Sequence, residues 1–483
     1  MGRARPEGAG CPPYYYYYLT LTLTLTLIIL SVIMNKSVLE ERKSSISDKR
    51  GSGAGRGICC ERESVSGAVS QRACVYCGAR VVLNPITDAY HIVHGPIGCA
   101  SYTWDIRGSL TSGADTYRNS FSTDLRETDI VFGGEIKLAA AIDELMEKAA
   151  PAPKLIFVFA TCIVGVIGDD IEAVCHAAEA RHGIRVIPVK APGFSGTKSQ
   201  GYKLACDAIM TLIRPHADRP KQFGINFLGD YNLAGEMWIM RNYLEHIGIP
   251  VISTITGDSS YRTLIQTPTA TLNVVQCAGS SAYLAERMDA EFGIPYIKVS
   301  FFGIEDTTAS LLRVADALGK RDVSAKARSF AEERTAKIMP VINKYRPRLE
   351  GKRAAIFVGG GFKAISLIRQ FNELGMETVV VGTQTGKKDE YEIINSLVTG
   401  NAVVLDDANP AELERFMLEK KADILVGGVK ERPLAYKLGM AFCDHNHERK
   451  HPLAGFEGIE NFVKEIHKSV NSPIWKYVNV RAA

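Results

Sequence analysis

The chain has 483 residues, of which 46% are hydrophobic and 23% are charged, and this balance excludes a wholly disordered protein. Its formal net charge of +4 is too small to indicate nucleic acid or an acidic membrane surface as the main partner. Eleven cysteines are too sparse in so long a chain to form a disulfide scaffold, so they need another explanation. At roughly 150 residues per domain, the length predicts about three domains.

The first 33 residues differ in composition from the rest of the chain. A run of tyrosines, Tyr14–Tyr18, is followed by alternating leucine and threonine. Residues 14–34 are long enough to span a bilayer, but threonine at every second position favours an extended tract over a helix. We interpret residues 1–33 as an extension outside the folded protein, with a membrane element as the alternative. Residues 34–57 are polar and rich in glycine and serine, which predicts a flexible leader.

From about residue 58 onward, short apolar runs alternate with amphipathic helical patterns. Leu155–Ala160 and Ala354–Val358 are two such runs, and each ends in a polar or glycine-rich turn before a helical pattern. The alternation predicts an α/β fold with parallel sheets, built as three Rossmann-like or flavodoxin-like domains. We place these domains at residues 58–216, 217–345 and 346–483. Ligands of such sheets bind beyond the carboxyl ends of the strands.

Four cysteines lie at turns or just after predicted strands. Cys74 and Cys99 lie in turn patterns, Cys162 follows the apolar run 155–160, and Cys277 follows another apolar run. The spacing of the first three does not suit a zinc ribbon. Iron–sulfur clusters, in contrast, need thiolates that converge in space rather than in sequence. Simple packing of small buried cysteines is the alternative, and the spacing alone favours it.

The glycines Gly359–Gly361, which follow an apolar run, raise a nucleotide-binding alternative. They lack the full G-x-G-x-x-G spacing, and no Walker A lysine pattern accompanies them. A tight strand-to-helix turn explains them, so we do not expect a nucleotide site.

Several segments of the body resemble the nitrogenase component 1 superfamily. The resemblance is carried by Gln71–Arg80, His94–Cys99, Asn119–Leu125, Phe132–Glu135, Ile167–Asp170, Asn273–Cys277 and Phe301–Gly303. It covers roughly Cys74 to the C-terminus and is strongest to the members that build the iron–molybdenum cofactor. It implies the component 1 fold, a role in nitrogen fixation and a cytoplasmic location.

The resemblance also implies two metal-binding sites. Cys74, Cys99 and Cys162 match cysteines that hold a [4Fe–4S] cluster at a subunit interface, with the fourth ligand supplied by a NifN-like partner subunit in an α2β2 heterotetramer. Cys277 matches the cysteine that holds one end of the cofactor, and here it would hold the iron–sulfur precursor of the FeMo-cofactor.

The implied function is a scaffold rather than a catalyst. It would hold the precursor while molybdenum and homocitrate are inserted, before transfer to apo-nitrogenase. The resemblance implies transient contact with the nitrogenase Fe protein and with the NifB precursor donor, and it implies neither nucleic acid nor membrane as a partner.

The chain departs from the catalytic α-subunits of the family above the cofactor. Where those subunits carry a glutamine and a histidine, this sequence has Lys198 and Tyr202. Histidine can exchange protons near neutral pH, whereas lysine and tyrosine have ordinary pKa values of about 10 and are poor substitutes. We therefore expect both residues to line the precursor site and assign no catalytic residue. A catalytic α-subunit of the molybdenum–iron protein is the alternative function.

Two further positions are candidates for the precursor site. Arg107 matches an arginine that lines the cofactor cavity, where a guanidinium could stabilise an anionic cluster, and a surface arginine is the alternative. The segment Asp444–His451 falls where the catalytic subunits place a histidine ligand to molybdenum. His445 or His447 could bind metal, but the clustered polar residues favour a solvated loop, which we expect here.

Overall fold

The computed structural model describes residues 42–48, 58, 60, 73–103 and 119–478. These residues form three sheets, and the predicted α/β class is confirmed. The described part of the chain contains no helix that is both long and apolar enough to cross a membrane. The tract 14–34 and the candidate Arg107 lie outside it.

The first sheet lies within the first predicted domain and is parallel throughout. Its strands are β2 (Ala89–His94), β3 (Ser120–Ser122), β4 (Leu155–Ala160) and β5 (Arg185–Lys190), in the order β3-β2-β4-β5. The preceding strand, β1 (Ile46–Asp48), belongs to the third sheet. Its helices are α1 (Val75–Leu83), α2 (Ile97–Thr103), α3 (Glu127–Phe132), α4 (Glu135–Lys148), α5 (Cys162–Ile167), α6 (Ile171–His182) and α7 (Lys198–Ile213). Every residue of β2 and β4 is buried, as expected for parallel strands covered on both faces.

The second sheet is also parallel. Its strands are β6 (Ile225–Asp230), β7 (Val251–Thr256), β8 (Leu272–Val275) and β9 (Tyr296–Lys298), in the order β7-β6-β8-β9. The accompanying helices are α8 (Glu236–His246), α9 (Tyr261–Leu264), α10 (Ala278–Phe292), α11 (Ile304–Ala317) and α12 (Arg321–Tyr345). The helix α12 leads toward the third sheet.

The third sheet is mixed. Its own strands are β10 (Arg353–Val358), β11 (Glu377–Thr383), β12 (Val403–Asp406), β13 (Ile424–Gly427) and β14 (Ala441–Asp444), and the order is β1-β12-β11-β10-β13-β14. Its helices are α13 (Gly361–Glu373), α14 (Lys388–Leu397), α15 (Pro410–Glu419), α16 (Arg432–Lys437) and α17 (Gly455–Val470). The largest buried cluster contains Phe227 and Phe301 with Ile356 and Val426, so the second and third sheets share a core.

Residues 42–48 fall within the stretch predicted to be a flexible leader, yet they belong to the third sheet. The strand β1 pairs antiparallel with β12, with Ile46 opposite Leu405. Arg42 donates two hydrogen bonds to the Glu412 carboxylate at 2.8 and 2.9 Å. These contacts fix the beginning of the described chain to its distant third unit.

Two glycines let α1 and α7 cross at very short range. A Cβ added at Gly78 would lie 2.0 Å from the carbonyl oxygen of Lys198, and one added at Gly201 would lie 2.1 Å from that of Val75. No side chain fits in this space, because real Cβ contacts are much longer. The crossing positions Cys74 and Lys198 at the same end of the helix pair.

Candidate metal centre and adjoining cavities

Three cysteines converge beyond the strand ends of the first sheet. Cys74 precedes α1, Cys99 lies in α2, and Cys162 begins α5 directly after β4. Gly193, which follows β5, packs against two of them: an added Cβ would lie 2.9 Å from Cys162 Sγ and 3.3 Å from Cys74 Sγ. Burial raises the pKa of Cys99, and the nearby Cys162 and Cys74 thiols raise it further. The three thiols are therefore close enough to interact electrostatically.

The residue type of this group fits an iron–sulfur cluster, because cysteine thiolate is the usual ligand of its iron atoms. Among the described residues, no three His, Cys, Asp or Glu side chains are placed to hold one metal ion. The Gly193 N–H donates to Cys162 Sγ at 3.1 Å, the kind of hydrogen bond that tunes thiolate ligands.

A buried tyrosine, Tyr76, stabilises the position of Cys99. The Tyr76 hydroxyl donates to the Cys99 carbonyl oxygen at 3.2 Å and lies 2.6 Å from Thr103 Oγ1. Burial raises the pKa of Tyr76 to about 12, so the phenol keeps its proton at neutral pH. It can therefore hold α2, and with it Cys99, against α1.

Large apolar side chains are exposed around the same cysteines. Ile97 and Tyr102 on α2 are 58% and 54% exposed, Val166 on α5 is 70% exposed, and Phe194 beside Gly193 is 64% exposed. Cys162 is itself exposed. An apolar surface around exposed thiols is typical of a site that another protein surface covers.

Cys277 lies on a cavity between the second and third sheets. It precedes α10, directly after β8. Gly229, with φ of +87°, packs on it so closely that an added Cβ would lie 2.9 Å from Cys277 Cβ. Gln276, Lys363 and Arg449 line the same cavity. Gln276 is 5% exposed, and its amide atoms have no hydrogen-bond partner among the described residues.

The charged residues that line this cavity were not predicted from the sequence. The buried Arg449 pairs with the fully buried Glu236 at 2.9 Å. Burial, followed by repulsion from Glu236, raises the pKa of Asp230 to about 6, although Arg449 and Lys363 oppose the shift. Lys363 follows a strand and its glycine turn, and this position could have predicted that it lines a ligand site. The contact of Arg449 with Glu236 joins residues far apart in the sequence and therefore leaves no local pattern.

Lys198 and Tyr202 line a second, larger cavity. Its volume is about 790 Å³, and Cys74, Gly193, Lys203 and Lys387 also border it. Gly279 borders both this cavity and the cavity of Cys277, so the two adjoin. Lys198 and Tyr202 therefore share a cavity with Cys74, and this cavity adjoins that of Cys277.

The expectation of a solvated loop at His445 is wrong. The segment follows the buried strand β14, and the His445 side chain is fully buried. Its ring makes edge contacts with Phe302 and Phe462 at centroid distances of 5.0 and 6.0 Å. Burial, reinforced by Lys363 and Arg449, lowers its pKa well below the ordinary value, so the imidazole is neutral.

Neither ring nitrogen of His445 has a hydrogen-bond partner among the described residues. Its carbonyl oxygen accepts a hydrogen bond from Lys363 Nζ at 3.0 Å. His447, the neighbouring candidate, is only half-buried. His445 is therefore next to the Cys277 cavity and is tied to a residue that lines it.

Comparisons with known proteins identify the family of this chain. The family model for nitrogenase component 1 type oxidoreductase matches residues 74–471. The chain is 65% identical to the nitrogenase iron-molybdenum cofactor biosynthesis protein NifE of Clostridium pasteurianum, over 92% of this chain and 98% of that protein. It is 52% identical to the protein of the same name from Methanosarcina barkeri, with the same coverage.

A solved structure described as nitrogenase Cp1 at pH 6.5 superposes with a TM-score of 0.83. It is 29% identical and covers 92% of this chain and 97% of its own. The family match, the curated relatives and the shared architecture agree. The chain therefore belongs to the nitrogenase component 1 type oxidoreductase family.

Proposed function

We propose that this chain is a scaffold for biosynthesis of the nitrogenase FeMo-cofactor. It holds an iron–sulfur precursor at Cys277 while molybdenum and homocitrate are inserted, and then releases it to apo-nitrogenase. The observation that carries this proposal is the position of Cys277 on a cavity whose wall includes Lys363 and Arg449. The Cys277 thiol suits a cluster that is held by sulfur, and Lys363 and Arg449 supply positive charge beside the Asp230 and Glu390 carboxylates that line the same cavity.

Each residue of this cavity has a distinct part in holding the precursor. Cys277 supplies a thiolate to iron, and Lys363 and Arg449 offset the negative charge of the cargo. His445 is neutral and buried and has no ring partner among the described residues, so it is a suitable second ligand. Lys198 and Tyr202 line the adjoining cavity, through which the precursor would pass.

The second part of the proposal is a resident [4Fe–4S] cluster on Cys74, Cys99 and Cys162. Such a cluster supplies one-electron transfer when it is bound. Three thiolates leave one iron without a ligand from this chain. The exposed Cys162 and the surrounding apolar side chains support a NifN-like partner subunit as the source of the fourth ligand, in an α2β2 heterotetramer.

Two transient contacts complete the proposal. An iron–sulfur precursor must be delivered by a protein that makes it, which is the role of the NifB donor. The nitrogenase Fe protein would contact the assembled complex during maturation. The reducing conditions that exposed clusters need are consistent with the cytoplasm.

A catalytic α-subunit is the alternative function, and Lys198 and Tyr202 count against it. Neither supplies the near-neutral proton donor that a histidine would provide. Tyr202 is also buried, with 7% of its surface exposed.

The test is a comparison of two activities of the complex, purified anaerobically with its partner subunit. We expect it to load precursor and to activate apo-nitrogenase when molybdenum and homocitrate are present. We expect no dinitrogen reduction when no other component 1 is present. Sustained reduction of dinitrogen by the complex alone would establish the catalytic alternative.

A further inference from the structure

A buried histidine and aspartate join the loops that carry two of the cluster cysteines. We propose that His94 and Asp169 are positioning residues of the iron–sulfur site, which fix the Cys99 and Cys162 loops relative to each other. The inference rests on the proposed cluster site and assigns a role to two residues outside the ligand set.

The His94 ring is fully enclosed and bonded at both nitrogens. Its Nε2 lies 3.0 Å from Asp169 Oδ2, and its Nδ1 lies 3.0 Å from Thr123 Oγ1. The side chains of His94 and Asp169 are 0% and 4% exposed. Because an ionised carboxylate can only accept, Nε2 donates to Asp169. The Gly95 N–H donates to Thr123 Oγ1 at 3.1 Å, so the Thr123 hydroxyl can donate in turn to Nδ1.

The backbone of His94 is hydrogen-bonded to the Cys162 loop and continues into the Cys99 loop. Its carbonyl oxygen accepts hydrogen bonds from the Thr161 N–H at 3.2 Å and from Thr161 Oγ1 at 3.0 Å. Thr161 immediately precedes Cys162, and Gly95, which begins the turn to Cys99, packs on Thr161. A shift of His94 would therefore displace both cysteine loops.

Asp169 closes the arrangement from the other end of the Cys162 loop. Its carboxylate accepts the Gly134 N–H at 3.0 and 3.2 Å. A Cβ added at Gly134 would lie 2.6 Å from Asp169 Oδ2 and 2.9 Å from the His94 ring, so the three groups are in tight contact. Asp169 thus anchors the far end of α5, the helix that Cys162 begins, to the start of α4.

Hydrogen bonds that orient metal ligands are worth about 10-fold or more in metal affinity, and we expect an effect of this size on metal retention here. The test compares His94→Asn, His94→Gln and Asp169→Asn in the anaerobic complex with its partner subunit. The glutamine amide can still reach Asp169, whereas the shorter asparagine amide can reach only the Thr123 side. His91→Phe is the matched control, because His91 is buried on the same strand and stacks on Phe157 and Phe159 without joining the bridge.

The readouts are the rate of iron loss to a chelator, the EPR spectrum of the reduced cluster and the melting temperature. We expect Asp169→Asn and His94→Asn to lose iron about 10-fold faster and to alter the EPR spectrum. We expect His94→Gln and His91→Phe to retain iron as the wild type does. If His94→Asn does not fold, the comparison of Asp169→Asn with His94→Gln decides the question.

Two results would overturn the inference. One is wild-type iron loss and an unchanged EPR spectrum in Asp169→Asn. The other is equally fast iron loss in His91→Phe at the same drop in melting temperature, which would indicate general destabilisation. A Cys74→Ala complex that keeps all its iron would instead refute the cluster assignment, so the two failures are distinguishable.

Discussion

Cys277 and His445 show what sequence can and cannot reveal about single residues. Cys277 follows a strand, and the rule that ligands bind at strand ends identifies it without a structure. His445 also follows a strand, but its polar neighbours indicated a solvated loop. The aromatic rings of Phe302 and Phe462, which bury it, come from distant segments. Because this burial depends on long-range packing, the eight residues Asp444–His451 contain no pattern that predicts it.

The raised pKa of Asp230 predicts a pH-dependent stability. The folded state, with a pKa of about 6, holds a proton that the unfolded state releases near its ordinary value of about 4. Stability therefore falls as pH rises from about 4 to about 6 and is constant above that. We expect Asp230→Asn to gain roughly 1–3 kcal/mol over the wild type across this interval.

Denaturant unfolding of the precursor-free protein at several pH values measures this difference. The exposed Asp289, changed to Asn, serves as the control. A constant difference between Asp230→Asn and wild type from pH 4 to pH 7 would refute the assignment.

At the scale of elements, local patterns predicted most strands, but they could not predict how distant elements meet. The apolar runs 155–160 and 354–358 appear as β4 and as part of β10. The pairing of β1 with β12 joins segments far apart in the sequence. A stretch as short as Ile46–Asp48 carries no signal for such a partner.

The crossing of α1 and α7 predicts that Gly201→Ala is strongly destabilising. The new methyl group would meet the Val75 carbonyl oxygen, and overpacking of this kind costs about 1–3 kcal/mol. Thermal unfolding should show the loss. Gly400→Ala, at a glycine with open space around it, is the control and should unfold near the wild-type temperature. Equal melting temperatures for both variants would show that the helices do not cross so closely.

The ion pair between β1 and the third sheet predicts a second effect. Lys420 Nζ lies 3.1 Å from Asp48 Oδ1, and the lysine side chain is only 2% exposed. Asp48→Ala leaves a buried cation without this partner, which costs about 1–3 kcal/mol. Urea unfolding measures the change, with Glu144→Ala in the exposed pair with Lys148 as the control. An effect no larger than that of the control would place β1 outside the stable core.

At the scale of the whole molecule, the length and the repeated α/β pattern predicted three units, but not the spaces between them. The Cys277 cavity draws its walls from the second and third sheets, and the larger cavity also includes residues beside Cys74. Each wall is set by how whole sheets pack, which no single stretch of sequence encodes. Gly359 and Gly360, for example, form a turn that the sequence predicts, but the sequence does not predict that this turn lines the Cys277 cavity.

The exposed apolar side chains around Cys99 and Cys162 predict the position of the proposed partner subunit. Val166→Asp and Phe194→Asp should each weaken the complex by ~2 kcal/mol, about 30-fold in Kd, because each places a charge in an apolar interface. Size-exclusion chromatography and titration with the partner measure this. Ile393→Asp, at an exposed apolar residue elsewhere, is the control. Wild-type affinity in Val166→Asp and Phe194→Asp would show that the partner binds another surface.

The measurement that tests the scaffold most directly is the iron content and EPR spectrum of the complex after precursor loading, with and without Cys277→Ala. We expect the variant to keep the signal of the cluster on Cys74, Cys99 and Cys162 and to lose the iron of the precursor. Retention of the full precursor iron and its spectrum in Cys277→Ala would refute the scaffold role of Cys277.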